Sequence, residues 1–212
     1  MSVAVLLPVL DRPHRIVPLL ENIAQTTPED HIIYFAASDQ LTLDKLEQAG
    51  ANYLPDGGDT WPNRINRLFA WTFFAEYVFL CADDVLFHDG WLPPLLAAQA
   101  EMGPIGGVAV PNDLHNPYGT LALVSRRYVN EVGAVLDTPG AVVYSGYQHN
   151  WSDTELFATA AKRGRHRYVE GSVVEHLHHG IGKSPADATY AKGMASFNQD
   201  QALYSSRLAL WA

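Results

Sequence analysis

Apolar residues fall along this chain in short runs, each closed by a polar turn. Val3-Ala4-Val5-Leu6-Leu7-Pro8-Val9-Leu10 is unbroken and reads as a buried strand that Asp11-Arg12-Pro13 ends. Residues 14–25 carry Ile16, Leu19, Leu20 and Ile23 at helical spacing. Ile32 to Ala36 predicts a second strand, stopped by Ser38-Asp39. Leu41 to Ala49 predicts a helix that closes at Gly50. Ala51 to Leu54 predicts a short third strand, and Pro55-Asp56-Gly57-Gly58-Asp59 a loop. A helix over Ile65 to Phe74 leads into a strand, Tyr77 to Ala82. Strands alternating with helices make a parallel sheet covered on both faces, with ligands at the carboxyl ends of its strands. Arg12, Asp39 and Asp83 all fall just past predicted strand ends, where one crevice collects them.

The second half is less regular. Gly106 to Val110 and Leu121 to Ser125 predict strands, separated by a polar loop over 111–119. Arg126 to Val132 predicts a short helix, and 137–151 has no clear period. Asp153 to Arg163 predicts a helix with Leu156, Phe157 and Ala160 inward. Tyr168 to Leu177 predicts a strand, and Tyr190 to Leu210 a terminal helix, packed loosely or against a partner such as a second copy.

The 212 residues, 48% hydrophobic and 17% charged, suit one globular domain. The net charge of -9, with no basic stretch, argues against a nucleic-acid or anionic-membrane surface but leaves room for a small phosphorylated ligand. Cys81 is the only cysteine, so no internal disulfide forms, and its apolar setting predicts a small core residue. Val3 to Leu10 is too short for a membrane span and lacks a basic leader; no other segment is long enough. These features predict a soluble, cytoplasmic protein.

Asp83-Asp84 ends an otherwise hydrophobic run. Buried carboxylates are costly unless paired or holding a metal, and oxygen ligands favour Mg²⁺ or Mn²⁺, which often bridge to phosphates. The alternative is a turn or helix cap that uses Asp for local hydrogen bonds. His176 and His178, two apart on a predicted strand, point to one face, and either completes a metal shell with Asp83. A satisfied core or surface histidine is the other reading. Trp61, Trp91 and Trp151 are candidates to stack on a sugar or base. Trp91, before Leu92 and Leu95-Leu96, fits core packing better, and Trp151 borders Asp153 in a polar loop.

The order of these parts, from about residue 3 to 183, resembles the GT-A glycosyltransferases, most of all the inverting family 2. Val5-Leu6-Leu7-Pro8-Val9 with Arg12-Pro13 is similar to that family's opening strand and nucleotide-facing turn. Asp39 matches its acid at the base or ribose, and Asn66 its asparagine before the metal strand. Cys81-Ala82-Asp83-Asp84 falls on its Asp-x-Asp region, with Cys81 in place of the first Asp. Ala122 to Arg127 with Val132-Gly133 looks like the segment leading to the acceptor side. Ser152-Asp153-Thr154-Glu155-Leu156 looks like the start of the catalytic-base helix, with Ser152 where many members have an acid. Val174 to His179 with Gly182-Lys183 looks like the closing strand and phosphate loop.

The resemblance implies a single α/β GT-A domain, Rossmann-like, with a mostly parallel central sheet flanked by helices and a smaller mixed acceptor region. Residues 1–110 form its nucleotide-sugar half, 111–183 its acceptor and catalytic half, and 184–212 a helical extension. It implies transfer of a sugar from a UDP- or GDP-sugar to an acceptor hydroxyl, with inversion and with Mn²⁺ or Mg²⁺ on the diphosphate. Pro8, Arg12, Asp39, Asn66, Asp83 and Lys183 bind the donor in that reading. Asp83 holds the metal, Asp153 is the base, and Trp151 and Glu155 face the acceptor. Asp153 and Glu155 are also ordinary acids for a helix first turn. A nucleotidyltransferase wants a Gly-rich phosphate loop with Arg or Lys directly after the first strand, where this chain has only Leu10-Asp11-Arg12-Pro13. A non-catalytic sugar- or nucleotide-binding protein is the third reading, kept open by Cys81.

Overall fold

The structure is a computed structural model that describes residues 2–27, 31–116 and 118–211. It runs β1 (Val3–Pro8), α1 (Ile16–Thr26), β2 (His31–Ala37), α2 (Gln40–Gln48), β3 (Asn52–Pro55), α3 (Trp61–Trp71) and β4 (Tyr77–Leu80) through the first half. Then follow β5 (Val85–Phe87), α4 (Leu92–Glu101), β6 (Val108–Asn112), β7 (Ala122–Ser125), α5 (Ser152–Lys162), β8 (His166–His176), α6 (Ala188–Ala195) and α7 (Phe197–Arg207).

The strands form one sheet in the order β3-β2-β1-β4-β7-β6-β8-β5. β1 pairs in parallel with β2 and β4, and β2 with β3. β7 runs antiparallel to both β4 and β6, β8 is parallel to β6, and β5 is antiparallel to β8. The first half is thus the doubly wound unit predicted from the alternation, and the mixed region begins at β7.

β1 explains why the N-terminal run is continuous rather than alternating. Val3, Val5 and Leu7 enter one core with Phe35, Phe79 and Trp91, while Ala4 and Leu6 enter a second core with Ile65, Val78 and Leu156. A strand covered on both faces has no polar side. Cys81 is fully buried in the first core and behaves as the small core residue expected. Trp91 is also fully buried there, against Phe79 and Phe87, and its indole N–H donates to Thr27 Oγ1 at 3.0 Å.

Three elements depart from the sequence prediction. β5 has three residues, too few for a period to show. α4 begins Leu92-Pro93-Pro94, and prolines in a first turn are tolerated because those N–H groups lack helical partners anyway. The terminal helix breaks at Ser196 into α6 and α7. Asn150 Nδ2 and Ser196 Oγ both donate to the Gly193 carbonyl, and Asn150 Nδ2 also reaches Ser196 Oγ. A tertiary contact, invisible to local pattern, interrupts the helix there.

Candidate functional site

The carboxyl end of β4 runs into Asp83 and Asp84, whose side chains are each 6% exposed. They do not share a partner equally. Arg12, from the turn after β1, donates from Nη1 to Asp83 Oδ1 at 2.7 Å and stands 3.7 Å from Asp84 Oδ2. Asp84 Oδ1 lies 3.3 Å from His176 Nε2 at the end of β8, and Asp84 Oδ2 accepts from the Tyr190 hydroxyl at 2.7 Å. The backbone keeps this register: the Leu177 N–H donates to the Asp84 carbonyl at 2.7 Å. Asp83, the expected metal ligand, is thus bonded to Arg12, and it is Asp84 that lies beside His176. Cys81 has no place in the arrangement, since its side chain lies in the core.

The electrostatics follow. Burial alone would raise the Asp84 carboxyl, but the hydrogen bond and charge of His176, with Tyr190 and Arg12, hold it well below the usual carboxylate range. Burial lowers His176, and Asp84 more than reverses this, so the imidazole ends above its ordinary value. Burial pushes Asp83 up against the pull of Arg12. His178 is pushed down to about 4 by burial and by the charges of His176 and His179, so its ring is neutral at neutral pH.

A part-buried chain of groups orients His176. Its Nδ1 is 3.2 Å from Thr120 Oγ1, which is 3.0 Å from Asp113 Oδ2. Asp113 is fully buried and also accepts from the backbone N–H groups of His115 and Asn116. With Thr120 donating to Asp113, its oxygen accepts the Nδ1 proton, which leaves Nε2 as the ring atom directed at Asp84. His115 stacks on His178 with ring centroids 5.5 Å apart, and His178 sits 5.2 Å from His176. Asp113, His115 and Thr120 lie in and around a loop whose pattern carried no such signal.

Asp153 opens α5 and accepts from the Thr154 backbone N–H at 2.7 Å. Burial raises its carboxyl against the bonds it accepts at Thr154 and the charge of His176.

The other expected site residues each have partners within the protein. Pro8 is buried at the end of β1, paired with Ala36. Asp39 caps α2 by accepting from the Thr42 N–H and takes a second bond from the Asp11 N–H. Asn66 ties α3 to a loop, donating to the Val143 carbonyl at 2.8 Å and accepting from the Val142 and Val143 N–H groups. Lys183 pairs with Glu175 at 2.8 Å.

Two candidate acceptor residues face the C-terminal helices. Trp151, in a left-handed backbone conformation (φ 68°), packs on Phe197 and Tyr204 of α7. The Glu155 side chain is 1% exposed and gives both oxygens to Arg207 at 2.7 Å, with the Tyr147 hydroxyl donating at 2.7 Å. Arg207 also forks onto Asp137 and lies 3.4 Å from the Tyr144 ring centre. Glu155 therefore anchors α7 to α5 rather than facing an acceptor, because a buried acid at that position needs a fixed cation. The sequence contained both members, but nothing local joins residues 155 and 207.

Arg64 is a buried cation near these strand ends that the sequence reading did not single out. It is buried on α3 and reaches past the ends of β1 and β2: Nη1 to the Val9 carbonyl at 3.4 Å, Nη2 to Ser38 Oγ at 3.2 Å, Nε to Asp56 at 2.6 Å. The loop Pro55 to Asp59 followed by a helix start was the available signal.

Among the described residues, no group of three or more His, Cys, Asp or Glu side chains is arranged to hold an ion. Asp84 and His176 offer a carboxylate oxygen and an imidazole nitrogen, donor types that a divalent cation accepts. Mg²⁺ and Mn²⁺ sites at phosphates take one or two protein ligands, and the remaining positions go to phosphate oxygens and water. Among the described residues no helix is long and apolar enough to cross a membrane.

This combination of doubly wound half, antiparallel β7 and acidic pair past β4 defines the GT-A fold. The structure is similar to glucosyl-3-phosphoglycerate synthase from Mycobacterium tuberculosis, solved with Mn²⁺, UDP-glucose and phosphoglyceric acid (TM-score 0.63, 15% identity, 97% of this chain and 79% of that one). It is similar to the mannosyltransferase PcManGT from Pyrobaculum calidifontis, solved with GDP-Man and Mn²⁺ (TM-score 0.61, 15% identity, 82% and 56%). TarS from S. aureus matches at TM-score 0.61 and 13% identity, over 82% of this chain and 36% of that one. The chain thus spans just over half of PcManGT and about a third of TarS. No family model and no curated protein sequence matches the chain. At these identities the likeness is one of fold.

Proposed function

We propose that the chain transfers a sugar from a nucleotide-sugar to an acceptor hydroxyl, with inversion at the anomeric carbon. One observation carries the proposal: Asp84 and His176 meet at 3.3 Å at the strand ends of a GT-A fold, with the Arg12 guanidinium beside them. The GT-A neighbours solved with UDP-glucose or GDP-Man and Mn²⁺ support a UDP- or GDP-linked donor.

Asp84 and His176 would hold Mn²⁺ or Mg²⁺, which when bound supplies Lewis-acid stabilisation of the leaving diphosphate. Arg12 adds a fixed positive charge where that negative charge develops. Arg64, at the far rim, suits the nucleoside end of the donor. Asp153 takes the proton of the acceptor hydroxyl as its oxygen bonds to the anomeric carbon. The bond from that carbon to the diphosphate breaks on the opposite face, and a single displacement of this kind inverts the centre. A raised carboxyl is the stronger base, so burial suits Asp153 to the task.

The test is a panel of UDP- and GDP-sugars with Mn²⁺, read as released nucleoside diphosphate and as sugar on the acceptor. A donor that is consumed supports the reading. Tight binding of UDP or GDP with no turnover of any donor, across a broad acceptor set, overturns it in favour of a non-catalytic nucleotide-binding protein.

A further inference from the structure

We propose that Arg12 is a diphosphate seat kept closed by the chain's own carboxylate, Asp187, and that the arriving nucleoside diphosphate opens it by taking Asp187's place. This rests on the donor reading above and assigns that site its gate.

Arg12 is almost fully buried and serves three acids. Two, Asp83 and Asp84, belong to the buried floor. The third, Asp187, comes from the C-terminal segment. It takes the guanidinium fork on both oxygens, Nε to Oδ2 at 2.9 Å and Nη2 to Oδ1 at 3.0 Å. A planar fork with two parallel donors is the geometry that phosphate and carboxylate share. Three carboxylates around one guanidinium leave the cluster over-supplied with anions, so one can depart without stranding the cation. Asp187 is the one able to leave: its side chain is 34% exposed, against 6% for the other two.

The helix that Asp187 caps is thinly packed, held by the Asn150 bond to Gly193 and by the Tyr190 ring against His178 and His179. Gly193 is the only buried residue of α6. Its attachments to the donor side are polar: Asp187 to Arg12, Thr189 Oγ1 to the Leu10 carbonyl, the Tyr190 hydroxyl to Asp84, and Lys192 to Asp11. The Tyr190 ring also lies 4.2 Å under the Arg12 guanidinium. Segments with few buried apolar contacts open at low cost. One outward shift of α6 strips both Asp187 from Arg12 and Tyr190 from Asp84. The seat for the diphosphate and the Asp84 oxygen beside it are then freed together.

The experiment titrates the full chain with inorganic pyrophosphate, UDP and GDP by calorimetry in EDTA, so that no ion contributes. Asp187→Asn removes the competing charge, and Asp187→Ser does so while keeping an N-cap for the Tyr190 N–H. Both variants are expected to bind pyrophosphate about tenfold tighter, a change of about 1.4 kcal/mol. Arg12→Gln is expected to abolish the gain in either background. Hydrogen exchange over 188–195 should quicken when pyrophosphate is added to the unaltered chain. Unchanged or weaker pyrophosphate affinity in both folded Asp187 variants overturns the gate, even where a donor is turned over. Tighter binding in both upholds the gate, even if no donor is consumed and the transferase reading falls. Equal gains for pyrophosphate, UDP and GDP place the seat at the diphosphate.

Discussion

Asp84 Oδ1 stands 3.3 Å from His176 Nε2, so the turn after β4 meets the last residue of β8. The neighbouring carboxylate, Asp83, is held by Arg12 instead. Two adjacent acids thus have different partners.

Asp84→Asn and His176→Ala should each weaken Mn²⁺ binding in the presence of UDP by more than about a hundredfold, since even groups that only support a ligand cost 10–100-fold. Asp83→Asn should leave most of that affinity. Electron paramagnetic resonance of free Mn²⁺ measures all three, and the reverse ranking would restore Asp83 as the ligand.

Thr120→Val removes the hydroxyl between Asp113 and His176 with little change of volume. Mn²⁺ affinity should fall about 10–100-fold while the fold persists, because the imidazole loses the partner that sets its tautomer. Far-ultraviolet circular dichroism checks the fold, and unaltered Mn²⁺ affinity would assign the chain of groups a purely structural role.

Asp153→Asn should lower kcat by about 10²–10⁴-fold and leave UDP affinity unchanged. A base works only when ionised. Burial raises this carboxyl, so activity is present above the raised pKa and lost as pH falls through it. The acid limb of the pH–rate profile should therefore sit above that of an ordinary aspartate, and it should vanish from the residual activity of the variant. Transfer at a near-normal rate in Asp153→Asn would falsify the assignment.

Arg207→Ala strands Glu155, a buried acid with one remaining hydrogen bond, from Tyr147. The loss should be about 3–5 kcal/mol, as for a buried pair broken on one side. Asp137, on the exposed side of the same arginine, should contribute far less when replaced by Asn. Urea midpoints at constant m-value report both. A cost below about 1 kcal/mol for Arg207→Ala would mean the pair behaves like a surface one.

The parallel half of the fold was legible because its central strands, β1 and β4, are buried on both faces, as with Val3 to Leu7, and each helix has one apolar stripe. Asp83-Asp84 stood out because charge at the end of an apolar run needs a partner. His176 stood out by its spacing from His178. β5, α4 and the break at Ser196 were hidden, being set by length, first-turn prolines and a contact from Asn150. Asp39 and Asn66 matched expected positions, yet their side chains cap α2 and brace the 142–143 loop.

Local order, periodicity and composition reach as far as the doubly wound half, the acidic pair at its strand end and the buried role of Cys81. Pairing across the chain lies beyond them. Which carboxylate meets His176, that Glu155 closes on Arg207, and that Asp187 returns to Arg12 from 175 residues away are decided by the packed sheet and the C-terminal helices. The reason is physical: a side chain's spacing says which face it takes, but its partner depends on which elements the shared core brings against that face.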